Sequence, residues 1–299
     1  MLSINNITKK FGEKVALNGL SFNIPDGSVF GLIGSNGSGK STLLRIISGV
    51  YEPDGGSVKI DGKPTFEDPE VKAQCFFISD FPYFYNNSTI NNLAALYRSI
   101  YPSWDENKFQ KLCCMFPINA NDRVINMSKG MQRQAALILA LSTCPKYLLL
   151  DEIFDGLDPV VRQLIKKLLA EMVAEYNATI IIASHNLREL EDVCDHVGLI
   201  HSGGIVLEKE LDEAKLGIHR IQAVFEKEVG EGLFKDLQVV KIQRQGKLLN
   251  LTIKGDGEQI EKYLRSLEPV YLEMLPLTLE EVFISEMEAV GYDIDNILK

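Results

Sequence analysis

The chain has 299 residues, 45% hydrophobic and 24% charged, which excludes a disordered chain and leaves room for one large domain or two modest ones. Its 23 glycines and 11 prolines are too few for a fibrous or low-complexity protein. The 41 acidic residues outnumber the 31 basic ones, which argues against a nucleic-acid partner whose phosphates must be neutralised.

In chain order, residues 1 to about 60 read as short strands broken by turns. Leu17, Leu20, Phe22 and Ile24 precede the turn Pro25-Asp26-Gly27, and the apolar run Val29–Ile33 predicts a buried strand leading into glycines. Leu43, Leu44, Ile46 and Ile47 recur at helical spacing after Ser41, and Gly49 marks the helix end. Residues from about 86 to 142 look largely helical. Tyr147–Leu150 and Thr179–Ala183 read as buried strands with a helix around Val160 to Tyr176 between them, the pattern of a parallel α/β sheet covered on both faces. The composition changes near residue 215. Beyond it come a hairpin over Val239–Lys254 around Gln245-Gly246, an amphipathic helix carrying Ile260, Tyr263, Leu264 and Leu267, and a capping box in Thr278-Leu279-Glu280-Glu281. The chain therefore divides into residues 1–215 and a small α+β domain, 216–299.

The apolar stretch from Ala135 to Leu141 meets Pro145 and Lys146 too soon to span a bilayer, and asparagines break the uncharged stretch Phe81–Tyr97. The start, Met1-Leu2-Ser3-Ile4-Asn5-Asn6, has no signal-peptide pattern, so a cytoplasmic protein is expected. Five cysteines without C-x-x-C spacing (Cys75, Cys113, Cys114, Cys144, Cys194) read as reduced, mostly buried thiols.

Gly34-Ser35-Asn36-Gly37-Ser38-Gly39-Lys40-Ser41 matches G-x-x-x-x-G-K-[ST] in full, between a predicted strand and a predicted helix. The glycines let successive N–H groups point at phosphate oxygens, and the helix start adds its positive dipole end. Lys40 would reach the β- and γ-phosphates, Ser41 would ligate Mg²⁺, and Thr42 would touch the α-phosphate. Leu148-Leu149-Leu150-Asp151-Glu152 ends a buried strand in two carboxylates. Asp151 is placed to hold Mg²⁺ through a water and Glu152 to orient or deprotonate the attacking water, the alternative being a helix-capping pair. The site expected is one for a nucleoside triphosphate.

Met127-Ser128-Lys129-Gly130-Met131-Gln132-Arg133-Gln134 resembles the L-S-G-G-Q signature of ABC-type ATPases and places Ser128 23 residues before Asp151. Ile153–Pro159 resembles that family's D-loop, Ala183-Ser184-His185 its switch histidine, and Phe11-Gly12 its adenine-stacking aromatic. The resemblance spans residues 1 to about 212. It implies a P-loop ABC cassette: a parallel-sheet α/β core, an antiparallel β-subdomain and a helical subdomain. It also implies that ATP and Mg²⁺ are bound, and that a second ATPase subunit pairs head to tail, so that Ser128 and Gly130 of one chain cap the γ-phosphate held by the other. His185 would sense that phosphate. Asp80 stands where the family carries a glutamine and could still ligate Mg²⁺. Lys129 and Met131 depart from the signature in a way that resembles bacterial exporter ATPases, and Leu277–Phe283 resembles the chain end of such proteins. The expected partner is an integral membrane transporter subunit, contacted on the inner face of the membrane beside Asp80. There Phe76, Phe77, Phe81, Tyr83, Phe84 and Tyr85 cluster, although core packing is the alternative for Phe76 and Phe77. A soluble ABC ATPase acting on ribosomes or chromosomes is the other reading, and the single uninterrupted cassette on an acidic chain favours transport.

Overall fold

A computed structural model describes residues 1–211, 213, 217–226, 231–275 and 277–289. They form two compact units, Met1–Glu208 and Lys209–Lys299. The change of composition lies at residues 215 and 216, outside the described residues.

The first unit opens with β1 (Leu2–Phe11) and β2 (Lys14–Ile24), which pair antiparallel, followed by β3 (Val29–Ile33), α1 (Lys40–Ile47), β4 (Gly55–Ile60) and β5 (Lys63–Pro64). A short α2 (Pro69–Lys72) leads to β6 (Cys75–Ile78), and the helical stretch is α3 (Ile90–Ile100), α4 (Glu106–Met115) and α5 (Lys129–Ser142). Next come β7 (Tyr147–Asp151), α6 (Pro159–Tyr176), β8 (Thr179–Ser184), α7 (Leu187–Glu191), β9 (His196–His201) and β10 (Gly204–Glu210).

Two sheets result. One is antiparallel, in the order β2-β1-β4-β5. The other has the order β10-β9-β3-β8-β7-β6, with parallel pairing between β6 and β7, β7 and β8, β8 and β3, and β3 and β9. The burial patterns explain the difference. Every residue of β3, β7 and β8 is buried, as strands covered on both faces require. Along β2, buried Leu20, Phe22 and Ile24 alternate with exposed residues, so that sheet hides only one face. The hidden face meets the core of the parallel sheet: Phe22 stacks on Phe30 with ring centroids 5.5 Å apart, and Leu43, Leu44, Ile46 and Ile47 of α1 join the same cluster. Each such side chain contributes about 1.5–3 kcal/mol by leaving water. This packing fixes α1, and therefore the loop before it, against two sheets at once.

The order of strands places the chemistry. β3, β8, β7 and β6 are consecutive neighbours running the same way, so the segments after Ile33, Ser184, Asp151 and Ile78 all emerge at one edge of the sheet.

The second unit is an antiparallel sheet in the order β12-β13-β11-β14, formed by β11 (Ile218–Val224), β12 (Gln238–Gln245), β13 (Leu248–Lys254) and β14 (Tyr271–Leu275). Helix α8 (Gly257–Ser266) covers one face, burying Ile260 and Leu264 against Leu249, Leu251 and Ile253. Helix α9 (Leu279–Ala289) opens with a reciprocal capping box. The Thr278 backbone N–H donates to Glu281 Oε2 at 3.0 Å, and the Glu281 N–H donates to Thr278 Oγ1 at 3.3 Å. Among the cysteines only Cys75 and Cys194 are buried. Cys113 is half-buried and Cys114 exposed, because α4 turns Phe109 and Leu112 inward instead, and Cys144, just after α5, is half-buried.

Candidate active site

The site begins where β3 ends. Gly37 (φ +81°) and Gly39 (φ +115°) hold left-handed conformations that let the loop fold back, and a Cβ on Gly39 would lie 2.6 Å from the carbonyl oxygen of Ala16. Gly39 is also the N-cap of α1 and offers no side-chain acceptor, so the first-turn amides of that helix remain free for an anion. Lys40 is buried, and its Nζ donates to Gly34 O at 2.7 Å and to Ser35 O at 3.2 Å. Ser38 is buried too, with an Oγ that has no hydrogen-bond partner. A cleft of about 270 Å³ opens here, lined by Phe11, Asn36, Gly37, Gly39, Lys40, Ser41, Thr42, Asp80 and Glu152 together with Lys14 and Ala16.

Asp151 and Glu152 reach the loop from β7 across the intervening β8. Ser41 Oγ donates to Asp151 Oδ1 at 3.1 Å, while Asp151 Oδ2 is buried without a partner. Burial pushes the Asp151 carboxyl up to about 6. The Ser41 hydrogen bond opposes this, the charges of Asp80 and Glu152 add to it, and Arg45 partly offsets them. Burial also lowers the Lys40 ammonium, against the pull of Glu152 and Asp151. Glu152 has a left-handed backbone (φ +48°), and its N–H donates to Ala183 O at 2.9 Å. Its Oε1 lies 3.9 Å from Lys40 Nζ and its Oε2 lies 2.9 Å from His185 Nδ1. Lys40, Glu152 and His185, distant in sequence, thus form one continuous line.

Asp80 stands 3.6 Å from Arg45 Nη2 through its Oδ1. Phe11 is half-exposed at the cleft and meets Tyr51 edge-on at 5.6 Å. Ser128 is the N-cap of α5, with Oγ accepting from Met131 N at 3.2 Å, and Gly130 packs so closely that a Cβ would lie 2.9 Å from Gly156 O. Neither Ser128 nor Gly130 lines the cleft.

Two arginines contribute that the sequence reading left without a role. Arg45 follows Ser41 by four residues, one helical turn, so the shared face was the available signal. Arg133 is buried, and its guanidinium donates through Nη2 to Asp80 O at 3.0 Å and through Nη1 to Asp155 O. The signal there was a basic residue just before an otherwise apolar helix run.

The sequence profile of the ABC transporter family matches residues 17–155. The ABC transporter ATP-binding protein YtrB of Bacillus subtilis (strain 168) is 30% identical over 286 residues, covering 96% of this chain and 98% of that protein. The chain belongs to the ABC transporter ATP-binding proteins. This ABC ATPase is also 32% identical over 231 residues to the lantibiotic transport ATP-binding protein SrtF of Streptococcus pyogenes, covering 77% of this chain and 97% of that protein. Its fold is similar to an ATP-binding cassette solved as a dimer in a post-hydrolysis state with ADP and Pi, at 25% identity and a TM-score of 0.63, over 71% of this chain and 99% of that one. It is an ATP-binding and ATP-hydrolysing subunit that powers a transporter.

Proposed function

We propose that this ABC ATPase hydrolyses Mg²⁺–ATP in the cleft beside Lys40 and drives an exporter whose membrane-spanning part is a separate chain. The observation that carries the reading is the convergence of Lys40, Asp151, Glu152 and His185 from three neighbouring strand ends. Free amides of the first turn of α1 and the Lys40 ammonium suit the β- and γ-phosphates, Thr42 the α-phosphate, and Phe11 the adenine ring. Glu152 accepts a proton from the water attacking the γ-phosphorus as the bond to the β-phosphate oxygen breaks. His185, held by Glu152, donates a hydrogen bond to the departing phosphate.

Mg²⁺ fits the residues present: the buried Asp151 Oδ2 has no other partner, and Ser41 Oγ stands beside the same carboxylate. Asp151 and Ser41 would hold the ion, with Asp80 facing the same cleft, and bound Mg²⁺ supplies charge neutralisation of the phosphates.

Because Ser128 and Gly130 lie off the cleft that Lys40 lines, a second copy arranged head to tail supplies them. The membrane subunit docks beside the Asp80 segment. There Phe81, Tyr83 and Tyr85 are exposed, while a cavity of about 120 Å³ opens among Phe76, Phe77, Pro82, Tyr83, Phe84 and Tyr97. By this contact the chain sits on the inner face of the membrane; no helix among the described residues is long and apolar enough to cross one. The signature variants Lys129 and Met131, and the likeness to a lantibiotic transport protein, support export.

The test is the ATPase activity of the purified chain. Glu152→Gln is expected to bind ATP with parental affinity and to lose about 10²–10⁴-fold in kcat, the usual contribution of a positioned proton acceptor. Activity close to the parent would remove Glu152 from this role.

A further inference from the structure

We infer that Arg133 is a positioning residue for hydrolysis, one that sets the Glu152 turn against the Asp80 segment. This rests on the reading of Glu152 given above. Strands β6 and β7 are parallel neighbours, so the segments that follow them, Ser79–Asp80 and Glu152–Asp155, leave the sheet side by side. Among the hydrogen bonds described, the guanidinium of Arg133 spans the two: Nη2 donates to Asp80 O at 3.0 Å and Nη1 donates to Asp155 O. Both acceptors are main-chain carbonyls, so the contact measures the separation of two backbones, whatever side chains they carry.

The turn it holds carries strain. Glu152 sits at φ +48°, and it is kept there by its N–H on Ala183 O at 2.9 Å and by the Asp155 N–H closing on Glu152 O at 3.2 Å. The first bond ties the start of the turn to β8, and Arg133 ties its end to the Asp80 segment. Gly156, next to this contact, holds φ +70°, a left-handed conformation in which a side chain would be strained. Arg133 is buried, and its Nε finds no acceptor, so part of the desolvation cost of the cation is uncompensated. Only a planar fork offers two donors at fixed spacing, and a lysine ammonium is a single point donor on a flexible stem. A displacement of the Asp80 segment, which continues into the exposed Phe81, Tyr83 and Tyr85, therefore pulls on the turn that places the Glu152 carboxylate.

The experiment compares the purified full chain with Arg133→Gln and Arg133→Lys, measuring KM, nucleotide affinity, and kcat per titrated nucleotide-binding site. Arg133 makes no hydrogen bond to the phosphate loop, so KM and affinity are expected within about twofold of the parent. The kcat per site falls about 10- to 100-fold in both variants, the loss expected when a reacting group is misplaced by a fraction of an ångström to about an ångström. If Arg133 only filled space, Arg133→Lys would keep the parental kcat per site. A kcat within about threefold of the parent in either variant overturns the inference, as does a loss of activity wholly accounted for by lost nucleotide-binding sites. Glu152→Gln serves as the control: if it turns over like the parent, the reading of Glu152 fails, an outcome separate from any result at Arg133.

Discussion

At the scale of single residues, Asp151 shows how the site opposes the stability of the protein that carries it. The carboxylate is wholly buried, and one oxygen lacks a partner. Its folded-state pKa of about 6 lies above the ordinary 3.8, so between these values the folded protein holds a proton that the unfolded chain has lost. Stability therefore falls as pH rises through that window, by about 3 kcal/mol in full, and stays reduced above it. In EDTA, thermal unfolding followed from pH 4 to pH 7 is expected to show a falling midpoint that Asp151→Asn largely abolishes. Millimolar Mg²⁺ should raise the midpoint of the parent near pH 7 and leave that of the variant almost unmoved. Lys40 makes the complementary case. Burial lowers its pKa, the charges of Glu152 and Asp151 oppose that shift, and the carbonyls of Gly34 and Ser35 accept its hydrogen bonds. Lys40→Ala is expected to abolish tight ATP binding, measured by equilibrium titration, while Glu152→Gln keeps it.

At the scale of elements, each helix near the site starts in a way that matches its task. α6 begins with Asp158 accepting from Val160 and Val161 N–H groups at 3.0 Å, and α5 begins with Ser128 accepting from Met131. α1 alone of these three has an N-cap glycine and leaves its amides open. In the second unit, α9 uses the full reciprocal box of Thr278 and Glu281, and Leu279 and Val282 at its start are buried. Thr278→Ala is expected to cost about 1 kcal/mol, seen as a lower unfolding midpoint, without change in kcat. The helices α1 and α6, the buried strands β3, β7 and β8, and the hairpin β12–β13 were legible from residue spacing, because periods of 3.6 and 2 are local properties. Residues 86–142, read as largely helical, divide instead into α3, α4 and α5 with segments that are not α-helical between them. The register shifts of β1 against β2 between Ile4 and Lys10 were not, because a bulge depends on what the partner strand presents.

At the scale of the whole molecule, one chain holds the phosphate loop and a signature that does not line the same cleft. The proposed head-to-tail pair makes a direct forecast. With ATP and Mg²⁺, Glu152→Gln should shift to doubled mass in light scattering, and adding Ser128→Arg should return it to a monomer that remains folded, at a cost of about 1 kcal/mol for the lost N-cap of α5. A monomer in the first case would count against a shared site. The likeness to YtrB extends over nearly the full chain and so includes the second unit, whose sheet and α8 form their own core.

The sequence by itself determined the phosphate loop, the paired carboxylates Asp151 and Glu152, His185 and the family resemblance, because each depends on residue type and spacing along one strand, turn or helix start. Only the tertiary structure decided which of these meet. Ser41 touches Asp151, Glu152 bridges Lys40 and His185, and Arg133 joins the Asp80 segment to Asp155. The physical reason is the strand order β3-β8-β7-β6: parallel neighbours bring remote segments to one sheet edge, and no local pattern in the sequence records which strands lie side by side.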